Sequence, residues 1–195
     1  QDNYDVLHPR FFDISNIPSG INNPQGLRFV EFPIFNLLQA GSYDLFGVLP
    51  IEQWGRLITI FGSLASIFFL YKLVRKHINQ TTGFATAFFF AFLPFSIYYG
   101  RTILPDQLMV TATLGGIYFF DLWIEKSAKI KDSSFANASA DKQKSKTKLK
   151  VQSFWFYFMS LLFTASALLL KPYAIFFLLP VVYLSYRKFG NKMFL

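Results

Sequence analysis

Five apolar runs, bounded by charge or proline, constrain this chain more than any other feature. A helix crossing the hydrocarbon core of a bilayer needs roughly 20 mostly apolar residues, within a range of about 17–25. Runs at 55–71, 81–100, 107–124 and 151–170 meet this, and 172–186 approaches it. Runs 81–100 and 151–170 hold no charge at all, and 107–124 holds one acid, Asp121, near its end. A soluble bundle would repeat polar positions every three to four residues to wet its outer face, and these runs do not. Charge amounts to 15% of residues and mean hydropathy is +0.34, against about a quarter charged in soluble domains. The expected fold class is an all-α polytopic membrane protein with about five transmembrane helices.

Lysine and arginine set the expected orientation, because they concentrate on the cytoplasmic side of spans. With sides alternating, one side receives Lys72, Arg75, Lys76, the lysines of 125–150 and the tail residues Arg187, Lys188 and Lys192. The other side holds Arg10, Arg28, Arg56, Arg101 and Lys171, giving 14 basic residues against 5. The acids run the opposite way, four against seven. The basic side is therefore expected in the cytoplasm, with residues 1–54 forming an extracytoplasmic loop that carries an interfacial helix at Ile34 to Phe46. The transmembrane domain spans 55–186, and 187–195 is a cytoplasmic tail. The loop 125–150, with a Ser/Ala/Asn stretch and then alternating lysines, reads as low-complexity and disordered. Attraction to anionic lipid is one role for it, and a plain topology anchor is the simpler one. The sequons at Asn79 and Asn137 fall on the cytoplasmic side and should stay unmodified. Starting at Gln1 and ending on Met193-Phe194-Leu195, where an apolar run begins, the chain reads as an internal piece of a longer protein.

The net charge of +8 lies between apolar runs rather than along one stripe, so no nucleic-acid partner is expected. Absence of cysteine removes disulfides and thiolate metal sites. His8 and His77 lie on opposite sides of the membrane and cannot share a metal. Chemistry is then left to charges on the outer side. In Leu27-Arg28-Phe29-Val30-Glu31-Phe32-Pro33 an acid and a base sit in an apolar, aromatic stretch, so pairing of Arg28 with Glu31 is expected. The alternative for Glu31 is an ordinary surface acid. In Tyr98-Tyr99-Gly100-Arg101-Thr102-Ile103-Leu104-Pro105-Asp106, Pro105 opens a helix and Asp106 enters its first turn, where the helix dipole favours negative charge. Capping and interfacial snorkelling are the structural alternatives for Asp106, Arg101 and Lys171.

Together, Glu31-Phe32-Pro33-Ile34-Phe35-Asn36, Leu45-Phe46-Gly47, Trp54-Gly55-Arg56-Leu57, Leu93-Pro94, Tyr98-Tyr99-Gly100-Arg101 with Pro105-Asp106, and Leu170-Lys171-Pro172 resemble the lipid-linked membrane glycosyltransferases of the GT-C class. The likeness is to the branch related to protein O-mannosyltransferases and the lipid A aminoarabinose transferase. It covers most of residues 7–186 outside the lysine-rich loop. The resemblance implies a partial GT-C fold and a sugar donor carried on a polyprenyl phosphate. It further implies transfer on the extracytoplasmic face to a lipid, glycan or protein acceptor. By motif match, Glu31 corresponds to the loop acid before the proline and Asp106 to the acid of the short second connection. The family's first-loop acid is expected upstream of Gln1, with Asp2, Asp5 and Asp13 as weaker candidates. Some relatives carry a basic residue after the loop glutamate, where this chain has Phe32.

This chemistry needs a carboxylate to take a proton from the acceptor, a role for Glu31 or Asp106. It also needs cations to hold the departing phosphate, expected of Arg101, Lys171 and Arg28. Inversion at the sugar is expected. No cofactor is demanded, and a divalent metal is allowed. The competing class is a non-enzymatic multispan protein such as a transporter or flippase subunit. Transport paths place ionisable groups near the midplane, whereas these charges cluster at the surface.

Overall fold

A computed structural model describes residues 32–134 and 140–189, and every described element is helical. Helix α1 spans Ile34–Phe46, α2 Ile51–His77, α3 Gln80–Phe92, α4 Pro94–Tyr99, α5 Asp106–Ser134 and α6 Ala140–Leu170. A 3-10 helix, Pro172–Leu178, then leads into α7, Leu179–Phe189. The all-α, membrane-spanning class expected from the apolar runs is what forms.

Three helices are long and apolar enough to cross a bilayer: α2, α5 over Asp106–Ile130 and α6 over Leu149–Leu170. Helix α5 is central, with 44% of its apolar window buried against 22% for each of the others. Small residues allow the close approach that membrane helices need, since lipid removes the hydrophobic drive between them. On α2, Gly55, Thr59, Gly62 and Ser66 form a buried stripe at helical spacing. Across it, Ser66 Oγ and Thr111 Oγ1 are 2.9 Å apart, Thr111 donates to the Gly62 carbonyl at 2.7 Å, and Gln107 Nε2 donates to Ser66 Oγ at 3.2 Å. A Cβ at Gly115 would lie 2.5 Å from the Phe163 ring, so glycine is what lets α6 seat on α5.

The other two runs differ from the expected continuous spans. Residues 81–100 split at Leu93, whose φ of −61° and ψ of 130° are extended. Pro94 causes this, because its ring disfavours helical geometry in the preceding residue. The 13 residues of α3 rise about 20 Å, short of a core of about 30 Å. The last run is divided as well: Pro172, with Lys171 extended before it at φ −148°, ψ 114°, opens a 3-10 helix that gives way to α7 at Leu179. Among the described residues, three of the five expected spans are thus single long apolar helices, and the other two are apolar segments divided within the run.

The lysine-rich loop is corrected as well. Helix α5 continues to Ser134 and α6 starts at Ala140, so most of 125–150 is helical. Lysine, glutamate, glutamine and alanine are good helix formers, and Lys129 pairs with Glu125 one turn away at 2.6 Å. The two helices stay in register there through Ser127 and Ser153, 3.1 Å apart, and Lys126 to Gln152 at 3.3 Å. The turn between α2 and α3 is tight: Asn79 Oδ1 accepts from the Thr82 amide at 2.7 Å as an N-cap. Gly83 meets the backbone of Arg75 where a Cβ would have 3.2 Å.

Helix α1 forms over the expected residues and ends at Gly47, whose φ of 57° requires glycine. Its buried face presents Phe35, Gln39 and Ala40, and Gln39 Nε2 donates to the Ile51 carbonyl at 2.9 Å. Phe35 joins Met109, Ala112, Ala167, Leu170 and Ala174 in one apolar cluster. That cluster lies directly beneath the N-terminus of α5 and the C-terminus of α6.

Candidate active site

At this end of the bundle the extended Lys171 and the first residue of α5 meet. Lys171 Nζ is 3.2 Å from Asp106 Oδ1, and the Tyr173 hydroxyl donates to the same oxygen at 3.1 Å. The ammonium also lies 5.8 Å from the centre of the Tyr173 ring. Each part follows from local sequence. Pro105 precedes the helix and its carbonyl accepts from the Met109 amide, leaving Asp106 in the first turn. Pro172 denies Lys171 helical geometry, while the Lys171 amide still bonds back to the Ala167 carbonyl at 3.0 Å. The break therefore turns the lysine side chain toward α5 instead of continuing up α6. Both side chains are partly open, 17% exposed for Lys171 and 23% for Asp106.

Of the residues expected to converge, Asp106 and Lys171 come together. Arg101 sits exposed in the α4–α5 turn, its amide donating to the Tyr98 carbonyl at 3.1 Å. Among the described residues no hydrogen bond or ion pair links its guanidinium to Asp106. Glu31 and Arg28 lie outside the described residues. The chain immediately after them is fixed, however. The Phe32 amide donates to the Leu169 carbonyl at 3.2 Å, two residues before Lys171.

Sequence reasoning missed Tyr173. Its signal was adjacency to Lys171 across a proline, which a turn converts into a shared target. It also missed a second charged cluster at the opposite end of the bundle. There Lys76 Nζ is 2.7 Å from Asp121 and 3.0 Å from Glu125, and His77 Nε2 is 3.1 Å from Asp121. Asp121, midway along α5, thus pins the end of α2. Among the described residues, no three His, Cys, Asp or Glu side chains converge as a metal site would require.

The protein is thus a polytopic helical membrane protein in which a carboxylate, an ammonium and a phenol hydroxyl meet beside a helix break and a buried apolar cluster. The chain belongs to the dolichyl-phosphate-mannose-protein mannosyltransferase family, whose profile matches residues 30–139. It is a membrane glycosyltransferase of the GT-C type. That assignment replaces the transporter or flippase alternative. The matched segment includes Glu31, Arg101 and Asp106, and stops short of Lys171. Neither a search of curated proteins nor one of solved structures returns a significant match.

Proposed function

We propose that the protein moves a sugar from a polyprenyl-phosphate donor to an acceptor on the extracytoplasmic face, with inversion at the anomeric carbon. Mannose is the first sugar to test, given the family's description. The acceptor oxygen or amine attacks the anomeric carbon as the bond to phosphate breaks. The phosphate leaves with the bonding electron pair, and the acceptor's proton passes to a carboxylate. Asp106, with Glu31, takes the proton or positions the acceptor. Lys171, Arg101 and Arg28 hold the growing charge on phosphate. The observation that carries this reading is the Asp106–Lys171–Tyr173 contact. It sets an acid beside a cation, both partly exposed, at the end of α5 remote from the lysine-rich helices. The Phe32–Leu169 bond ties the residue that follows Glu31 to the last turn of α6, two residues before Lys171.

The test is transfer from polyprenyl-phosphate mannose by membranes holding the full-length protein, with folded yield measured separately. Glu31→Gln should lower turnover by roughly 10²–10⁴-fold, the scale of a positioned acid–base group. Arg101→Lys should also impair transfer, because a point charge cannot reproduce a guanidinium's paired hydrogen bonds to phosphate. A purely structural role predicts lower yield and normal turnover of the protein that survives. Near-normal transfer by both Glu31→Gln and Asp106→Asn removes the site assignment.

Sidedness is tested independently. Cysteines introduced at Ser19 and Ser145 should label from opposite sides of the membrane with an impermeant reagent. Labelling of both from one side ends the outward-facing site.

A further inference from the structure

At the end of α2 opposite Asp106, a cleft of about 350 Å³ is lined by Lys72, Arg75, Lys76, Tyr118, Leu122 and Glu125. Its charges divide into two groups. Lys76 is spent on Asp121 and Glu125, and Glu125 also takes Lys129 at 2.6 Å, so those charges balance within the protein. Among the described residues, no carboxylate pairs with Lys72 or Arg75. Both instead lean back along the helix onto aromatic rings. Lys72 Nζ is 5.3 Å from the centre of Phe68, and the Arg75 guanidinium 5.9 Å from that of Tyr71, with Nη1 donating to the Tyr71 hydroxyl at 3.3 Å. This posture holds two cations just above the apolar part of the helix, the depth at which phospholipid phosphates lie.

Below them, Phe61, Leu64 and Phe68 are exposed at helical spacing on the stripe that ends in Lys72 and Arg75. From Phe61 to Lys72 the helix rises about 16 Å, close to the depth of one leaflet in a core of about 30 Å. Basic clefts between spans at this face suit phosphate headgroups. We propose that this cleft binds the phosphate of one anionic phospholipid, with its acyl chain running along Phe68, Leu64 and Phe61. The site depends on α2 spanning the membrane and is independent of glycosyl transfer at Asp106. Its occupant is a lipid, because a free phosphate ester gains nothing from the apolar stripe.

Native mass spectrometry of the full chain released from detergent tests this, with phosphatidylglycerol, phosphatidylcholine or soluble glycerol 3-phosphate added. Phosphatidylglycerol adducts should persist where the other two are lost. The Lys72→Gln/Arg75→Gln double variant should weaken phosphatidylglycerol retention by about 10–30-fold, from two near-surface cations. Lys126→Gln/Lys150→Gln, which removes the same charge from the same end, should retain it. Lys72→Arg/Arg75→Lys should retain it too, so a folding defect in the glutamine variant does not decide the matter. Equal retention of phosphatidylcholine by the unaltered chain overturns the proposal, as does equal weakening by both glutamine variants. Equal binding of glycerol 3-phosphate overturns the lipid as the source of the phosphate.

Discussion

Helix α5 carries Asp106 in its first turn and Asp121 at the lysine-rich end of its apolar stretch, and the chain uses the two differently. At the lysine-rich end Asp121 is 6% exposed, and its Oδ2 is shared by Lys76 and His77 from the last turn of α2. Glu125, one turn on, is held by Lys76 and Lys129. Those groups lock two helices together. At the other end Asp106 is more open, and Lys171 and Tyr173 both approach its Oδ1. Its partners come from a helix break rather than from a packed helix face. Charge consumed by packing builds the bundle, whereas charge presented at a break remains usable by a substrate.

The largest expected effect separates the two directly. Asp106→Asn should cost about 10²–10⁴-fold in transfer while leaving the folded yield near that of the unaltered protein, because the amide keeps the shape. Asp121→Asn should do the reverse. Removing one partner of a buried ion pair costs about 3–5 kcal/mol, and discounting for the partial exposure of Lys76 leaves about 1–3. Thermal unfolding in detergent should show that loss, with turnover per folded molecule unchanged. A turnover defect at Asp121 matching the one at Asp106 would erase the distinction.

Tyr173→Phe sharpens the comparison at smaller scale. It removes the hydroxyl that donates to Asp106 Oδ1 and keeps the ring beside Lys171. A partly exposed hydrogen bond to a charged group is worth about 1 kcal/mol, so turnover should fall about fivefold with stability little changed. No change in turnover would show that Tyr173 only packs.

The parts legible in sequence and the parts that were not divide on the same physical line. Length and hydropathy are local properties, so α2, α5 and α6 stand out as runs, and Ile34–Phe46 as a helix. Pro105-Asp106 opening a helix is local too. Lys171-Pro172 was read as the boundary between two runs, whereas Leu93-Pro94 was present only as a proline inside one, and an average over a window hides one residue's backbone geometry. The 125–150 segment misled for the converse reason. Its composition is too polar to bury a core, yet its residues favour helix, and two neighbouring spans extend it. Pairs such as Asp106 with Lys171 and Lys76 with Asp121 join residues distant in the chain. Helix packing, as of Gly115 on Phe163 and of Gly62 on Thr111, brings them together, and single-sequence periodicity carries no such information.

The smallest expected effect concerns that helical extension. The interhelix bonds Lys126–Gln152 and Ser127–Ser153 close the α5–α6 pair on the membrane side of 133–148. The apolar contacts that hold the hairpin, Phe163 on Gly115 and the cluster around Ala167, lie further still toward the opposite end. Replacing 133–148 with a Gly/Ser linker that keeps several lysines therefore removes helix propensity and leaves those contacts in place. Retained lysines preserve the orientation signal, which acts through charge near span ends rather than through fold. Stability should stay within about 0.5 kcal/mol, as for surface changes away from packed features, and insertion and transfer should match the unaltered protein. Normal insertion with lost transfer would mean that the lysine-rich end takes part in the reaction cycle, and the division of labour between the two ends of α5 would fail.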